Sequence, residues 1–187
     1  MASSSSMAGP AGKLSVVEYL DLEETLQPME LVYGTVVREP AMPSWTHQQV
    51  SLRLSALLQA HVEELGLGGV SPPVDVVLDV EAALVVQPDL VFVSNERRGI
   101  VRERVWGSPD LVVEILSPRT ARHDRTVKLA WYRRYGVREC WLVDLRARTV
   151  EVVDLTSATP SRLFHGDEPV RSYVLPRWAV SPDRIFA

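Results

Sequence analysis

Cysteine is almost absent from the chain, with Cys140 as its single example. An internal disulfide needs two thiols and a cysteine metal cluster needs more, so neither can form. The surrounding run, ECWLV, is apolar, and a buried, reduced thiol is expected there. Long apolar stretches are missing too, since nothing approaches the roughly 18 uninterrupted apolar residues of a membrane-crossing helix. The opening MASSSSMAGPAG carries neither the basic start nor the apolar run of a secretory signal. Residues 1–13 are therefore expected to be a disordered tail, with Met7 as an alternative start, and the protein to be soluble and cytoplasmic. Lysine is the third scarcity. Of the 20 basic residues, 18 are Arg and two are Lys. Because Lys13 lies beside the tail, Lys128 is the only lysine of the expected folded body.

What the chain does contain is enough for one core: 187 residues, 46% hydrophobic and 24% charged, expected as a single domain over 14–187. The net charge of -4 hides an uneven distribution. Residues 1–90 hold 3 Lys+Arg against 12 Asp+Glu, residues 91–140 hold 11 against 6, and residues 141–187 hold 6 against 6. A basic segment thus sits inside an acidic average, and it suits a phosphate-binding face as well as a solvated charged surface.

Apolar spacing predicts a short helix between Leu14 and Leu26 capped by Ser15, then a hairpin over 29–37 turning at Gly34 and ended by Pro40 and Pro43. Thr46 is the expected cap of an amphipathic helix carrying Val50, Leu54, Leu58 and Val62 and ending at Gly66. The glycines at 66, 68 and 69 and the pair Pro72-Pro73 read as a loop, followed by a strand in PVDVVLDV. ALVVQPDLVFVS suggests strand on either side of Pro88, and NERRGIVRERVWGS a basic loop. PDLVVEILS is nearly continuous in apolar residues and reads as a central strand buried on both faces. Asp124 is expected to cap a helix from Arg125 to Tyr135 that Gly136 ends. ECWLVDL and TVEVVDL form a strand pair across the RAR turn, and residues 163–187 read as short edge strands. The fold class is α/β (or α+β): a mixed central sheet flanked by helices, with an added N-terminal hairpin and C-terminal edge strands.

Glu114 breaks the local rules, because a carboxylate inside an apolar central strand costs several kcal/mol unless it is paired, protonated or bound to a metal. A buried pair with one of the many arginines satisfies the pattern as well as a metal does. Asp89 is the second exception, since Pro88-Asp89 interrupts a strand and turns a carboxylate at the break. Turn aspartates also serve merely to satisfy backbone donors. Two carboxylates from neighbouring strands can converge within the roughly 2.0–2.6 Å range of Mg²⁺ or Ca²⁺ ligands. Asp110 is the rival partner of Glu114, but four strand residues separate them by about 13 Å. Asp110 is thus expected to start the strand or bind Arg. Lys128 lies on the helix after the Glu114 strand, where a compact ammonium can orient a water or simply face solvent.

QPDLVFVS together with PDLVVEILSPRTARHDRTVKLAWYRRYGVRECWLVDL resembles the bacterial Uma family of restriction-endonuclease-like proteins, within the PD-(D/E)XK nuclease superfamily. ELVYGTVV at 30–37 and the THQQV helix start are similar to it as well, so the likeness spans roughly residues 14–187. The resemblance implies a restriction-endonuclease-like core and Mg²⁺- or Mn²⁺-dependent hydrolysis of DNA. It implies Asp89 and Glu114 as metal ligands, the Ile115 carbonyl as a further one, and Lys128 as the lysine of the motif moved to the following helix. Leu116 stands where that lysine would otherwise be. A degenerate module that binds nucleic acid or a partner without cutting is therefore the alternative. Arg119, Arg122 and Arg125, with His123, are candidate phosphate contacts, and Arg97, Arg98, Arg102 and Arg104 weaker ones. Glu30 and Asp75 are candidates for the outer site, although a strand-end surface carboxylate and an exposed strand position explain them too. His47 is expected to serve the helix start, and Trp131 and Tyr132 the core and site wall. A homodimer is expected, because cutting two strands takes two sites.

Overall fold

The computed structural model describes residues 12–23, 28–38, 44–158 and 161–187. The expectations for the tail before residue 12, for Met7, for Leu26 and for Pro40 and Pro43 lie outside the described residues. None of the described helices is long and apolar enough to cross a membrane.

Helix α1, Val16–Leu20, begins at Ser15, whose hydroxyl and Glu18 form a reciprocal capping box. Strands β1, Met29–Val32, and β2, Thr35–Arg38, form the expected hairpin. Its turn residues Tyr33 and Gly34 have φ of 49° and 84°, the two left-handed positions that a tight hairpin demands. A Cβ at Gly34 would stand 2.8 Å from that of Lys13, so the chain entering α1 passes too close for any side chain. Helix α2, Trp45–Leu65, is capped by Ser44 rather than by Thr46, because the Ser44 hydroxyl reaches the His47 N–H. It stops at Gly66 in the left-handed conformation. The segment after it is not all loop: β3, Gly68–Ser71, pairs antiparallel along a neighbour, and that pairing overrides the low strand preference of two glycines.

Further strands are β4, Val76–Asp79; β5, Leu84–Val86; β6, Leu90–Ser94; β7, Val105–Trp106; and β8, Leu111–Leu116. A 3₁₀ turn, Asn95–Ile100, occupies part of the basic loop. After β8 come α3, Ala121–His123, a π turn, Asp124–Lys128, and α4, Leu129–Tyr135, ended by Gly136. Asp124 therefore lies within helical backbone and is buried instead of capping the helix from outside. Strands β9, Glu139–Asp144, and β10, Thr149–Asp154, follow, then β11, Arg162–His165, and a short helix α5, Pro182–Ile185, where only edge strands were expected.

Among the described residues the strands build two mixed sheets instead of one. The six-stranded sheet has the order β11-β10-β9-β8-β6-β3, and the five-stranded sheet β2-β1-β5-β4-β7. β8 pairs parallel with β9 and antiparallel with β6, which makes it central as its unbroken apolar run required. Alternation along β8 assigns its two faces. Leu111, Val113 and Ile115 pack with Leu54, Leu58 and Val62 of α2, and with Trp141 and Trp178. Val112 and Leu116 pack with Val86, Leu84, Trp131 and Tyr132, between the sheets and α4. Helix α1 covers the outer side of the five-stranded sheet through Val16, Tyr19, Leu31, Val77 and Val85. The chain crosses from one sheet to the other between β5 and β6, at Gln87-Pro88-Asp89.

Candidate functional site

Glu114 shares the face of β8 that looks toward α4, and it is 4% exposed. Its Oε1 accepts the phenolic hydrogen of Tyr132 and lies 3.4 Å from Lys128 Nζ. Burial pushes the Glu114 carboxyl well above the ordinary glutamate range; Lys128 pulls it back, while the charges of Asp124 and Asp89 push it further up. The Tyr132 hydroxyl is itself held in its protonated form by burial and by the neighbouring Glu114 and Glu30 charges, so it acts as a donor.

Lys128 is buried, not an exposed helix lysine, and its Nζ stands 2.8 Å from Glu30 Oε1. Glu30 is 3% exposed, which corrects the reading of a surface carboxylate at a strand end. The reason is alternation on β1: Leu31 faces α1, so Glu30 faces the opposite side, toward α4. Its Oε1 also accepts the Gln87 N–H at 3.1 Å. Asp124 Oδ1 is 3.8 Å from Lys128 Nζ. Burial raises the Asp124 carboxyl, with Lys128 as the main opposing influence.

Asp89 sits at the sheet crossing. Its Oδ2 accepts the N–H of Ile115 at 2.7 Å, just beyond the last β6–β8 partner pair, Leu90 and Val113. The break at Pro88 thus leaves a strip of β8 main chain that the Asp89 side chain, not another strand, satisfies. Its Oδ1 lies 3.3 Å from His47 Nε2 in the first turn of α2. Glu30, His47, Asp89, Glu114, Asp124 and Lys128 therefore form one cluster from five parts of the chain.

A family model described as "Putative restriction endonuclease", Uma2, matches residues 16–183. The chain belongs to the Uma2 family. A solved structure from Anabaena variabilis, titled a "putative nuclease belonging to DUF820", superposes with a TM-score of 0.78 at 19% identity. The match covers 92% of this chain and 97% of that one, and it establishes the shared fold. None of the curated proteins compared with the chain matches it. Family and fold make this a restriction-endonuclease-like protein of the mixed α/β class.

Not every basic or acidic residue singled out in the Uma2-like segment reaches the cluster. Asp75 is held by Arg104, at 3.1 Å. Asp110, fully buried at the other end of β8, accepts from Arg138 at 3.0 Å and the Ser94 N–H at 2.7 Å, with Arg97 at 3.8 Å, as its arginine-binding role required. That end of β8 is about 13 Å of strand from Glu114, so the 95–105 basic loop borders Asp110 and not the cluster. Arg125 is engaged by Glu151 and lies 3.7 Å from Asp144. Arg119 and Arg122 are exposed beside the turn after β8, and His123 lies edge-on to Trp131 at 5.6 Å. Cys140 is buried, and its thiol is pushed well up by burial and stays protonated.

Sequence reasoning missed Asp124 and His47 as members of the cluster. Asp124 carried one usable signal, its spacing of four from the solitary Lys128, which places both on one helical face. His47 carried none, since its partner is brought up by the sheet crossing. Among the described residues, no three His, Cys, Asp or Glu side chains stand close enough together to form a ready metal cage. The donor set still fits a hard cation. Asp89 and Glu114 offer carboxylate oxygens, Mg²⁺ is commonly held by one or two carboxylates while keeping several waters, and the acids of the cluster outnumber its cationic groups.

Proposed function

We propose that the chain is a divalent-cation-dependent endonuclease that hydrolyses DNA phosphodiester bonds, with Mg²⁺ or Mn²⁺ as the cofactor. The observation that carries this reading is the lone body lysine, buried against Glu114 and Glu30 beside the strand to which Asp89 is tied. Asp89 and Glu114 are the proposed cation ligands. The Ile115 carbonyl is the third, since in a strand a residue's N–H and C=O point to the same edge and the Ile115 N–H meets Asp89. A bound cation supplies polarisation of the scissile phosphate and a water of lowered pKa. The protein's own part is orientation: Lys128 presents an ammonium hydrogen toward the attacking water, and Tyr132 fixes Glu114 through Oε1. Arg119 and Arg122, exposed beside the turn after β8, are the proposed phosphate contacts. A two-fold dimer would give each DNA strand a site.

Leu116 favours the other reading, a non-cutting module that binds nucleic acid or a partner. It occupies the position of the motif lysine and is buried in the core, where no substrate reaches it. Cleavage assays separate the two. Plasmid DNA with Mg²⁺ or Mn²⁺ is expected to be nicked or cut by the native chain and left intact by Asp89→Asn and Glu114→Gln. Cleavage that survives both substitutions sinks the site assignment. Salt-sensitive DNA binding by a chain that takes up no Mn²⁺ in calorimetry supports the module.

A further inference from the structure

Asp124 has no role in the proposed reaction, yet it is a buried carboxylate of the cluster. It is 3% exposed, and its Oδ1 accepts no hydrogen bond among the described residues. A helix-start role does not account for it. Helical backbone has already begun at Ala121, and the hydroxyls of Ser117 and Thr120 satisfy the N–H groups of the preceding turn. A buried carboxylate oxygen without a donor is unfavourable and persists only where something else is gained. Asp124 also opens the π turn that ends at Lys128, and single π turns inside α-helices gather at functional sites.

Its ion-pair partner is Lys128, at 3.8 Å, a distance too long for a hydrogen bond and short enough for strong attraction in a dry interior. Lysine carries its charge on a flexible four-carbon stem, so the ammonium has to be fixed from outside. Glu30 on β1 holds it at 2.8 Å and Glu114 on β8 lies at 3.4 Å. We propose that Asp124 is a positioning residue, a counter-charge on the helix itself that keeps the Lys128 ammonium between Glu30 and Glu114. Among the described residues, three carboxylates from three separate elements then define one place for one ammonium. The catalytic consequence rests on the nuclease reading, whereas the positioning does not.

The composition supplies the test. Lys13 is exposed, so in reductive methylation with formaldehyde it serves as an internal reference for Lys128. In the native chain Lys128 should react far more slowly than Lys13. Asp124→Asn, which keeps the shape and removes the charge, is expected to speed Lys128 methylation several-fold, and Asp124→Glu to keep it slow. Asp124→Ser gives the same reading should the asparagine variant not fold. In DNA cleavage, Asp124→Asn should lower kcat about tenfold to a hundredfold, as outer-shell changes do. KM should stay unchanged, since Asp124 does not reach the surface. Lys128 equally protected in the neutral variants, or equally exposed in Asp124→Glu, overturns the proposal. Methylation needs neither cation nor DNA, so exposed Lys128 in a chain that cuts nothing supports the positioning and overturns only the nuclease reading. Intact cleavage with Lys128 still protected does the reverse.

Discussion

Lys128 on the π turn and Glu30 on the first hairpin meet at 2.8 Å, both out of reach of solvent, so the hairpin is part of the cluster and no mere addition to the core. Breaking a buried pair leaves charges stranded. Lys128→Ala is expected to destabilise the fold by about 3–5 kcal/mol, because three carboxylates among the described residues lose their common counter-charge. Urea unfolding measures it. A loss under about 1 kcal/mol, the range of exposed pairs, would show that Lys128 is solvated.

Tyr132→Phe removes one oxygen and little volume. The phenol donates to a buried carboxylate, so the expected cost is about 1.5–3 kcal/mol, more than a neutral hydrogen bond contributes. Unfolding midpoints compare the two proteins, and equal midpoints refute the bond. The substitution should also drive the Glu114 carboxyl further up, because the phenol is one of the two influences that oppose its rise.

Glu139 anchors the C-terminal segment. Fully buried, it accepts from Trp141 Nε1 at 2.5 Å, from the Ser172 hydroxyl at 2.6 Å and from the Tyr173 N–H. Glu139→Ala strands these donors and should cost about 2–4 kcal/mol. Hydrogen exchange is expected to quicken first at Tyr173, Val174 and Leu175. Protection unchanged there would mean that the segment is held by its apolar contacts alone.

Stability should fall as pH rises through the weakly acid range. Burial raises the folded-state carboxyls of Glu114, Asp124 and Glu139, so above 4.5 for the glutamates and 3.8 for the aspartate the native state binds more protons than the unfolded chain. The native state is then favoured by acid down to those ordinary values. Below them the lowered carboxyls of Glu18 and Asp154 act in the opposite direction. Melting in chelator-containing buffer should therefore show a maximum Tm in mildly acid solution, and Glu114→Gln should flatten the slope toward neutrality. A Tm that climbs steadily from acid to neutral contradicts the raised carboxyls.

Glu114 and Lys128 were legible in the sequence for a physical reason: each violates its surroundings, one as a charge in an apolar strand, the other as the only body lysine among arginines. The central place of β8 followed from the same unbroken apolar run. Asp124 was misread because an aspartate before an amphipathic helix looks like a cap, and nothing local distinguishes a π turn from the α-helix around it. Glu30 was readable only as a candidate for the outer site beside a surface alternative, and His47 only as a helix-start residue. Their burial depends on α4 and on the sheet crossing, both distant in sequence. For the same reason β3 escaped notice, since its strand character comes from β6 and not from its glycines.

On the nuclease reading, the crossing at Gln87-Pro88-Asp89 also bears on when the protein would become dangerous to its host. A chain emerging from the ribosome presents Glu30, His47 and Asp89 long before Glu114 and Lys128 exist, and contacts so distant in sequence close late in folding. On that reading, a nascent or truncated product lacking the π turn and α4 would carry acids without their ammonium and would be inert. Cutting power would then arrive only with the finished fold.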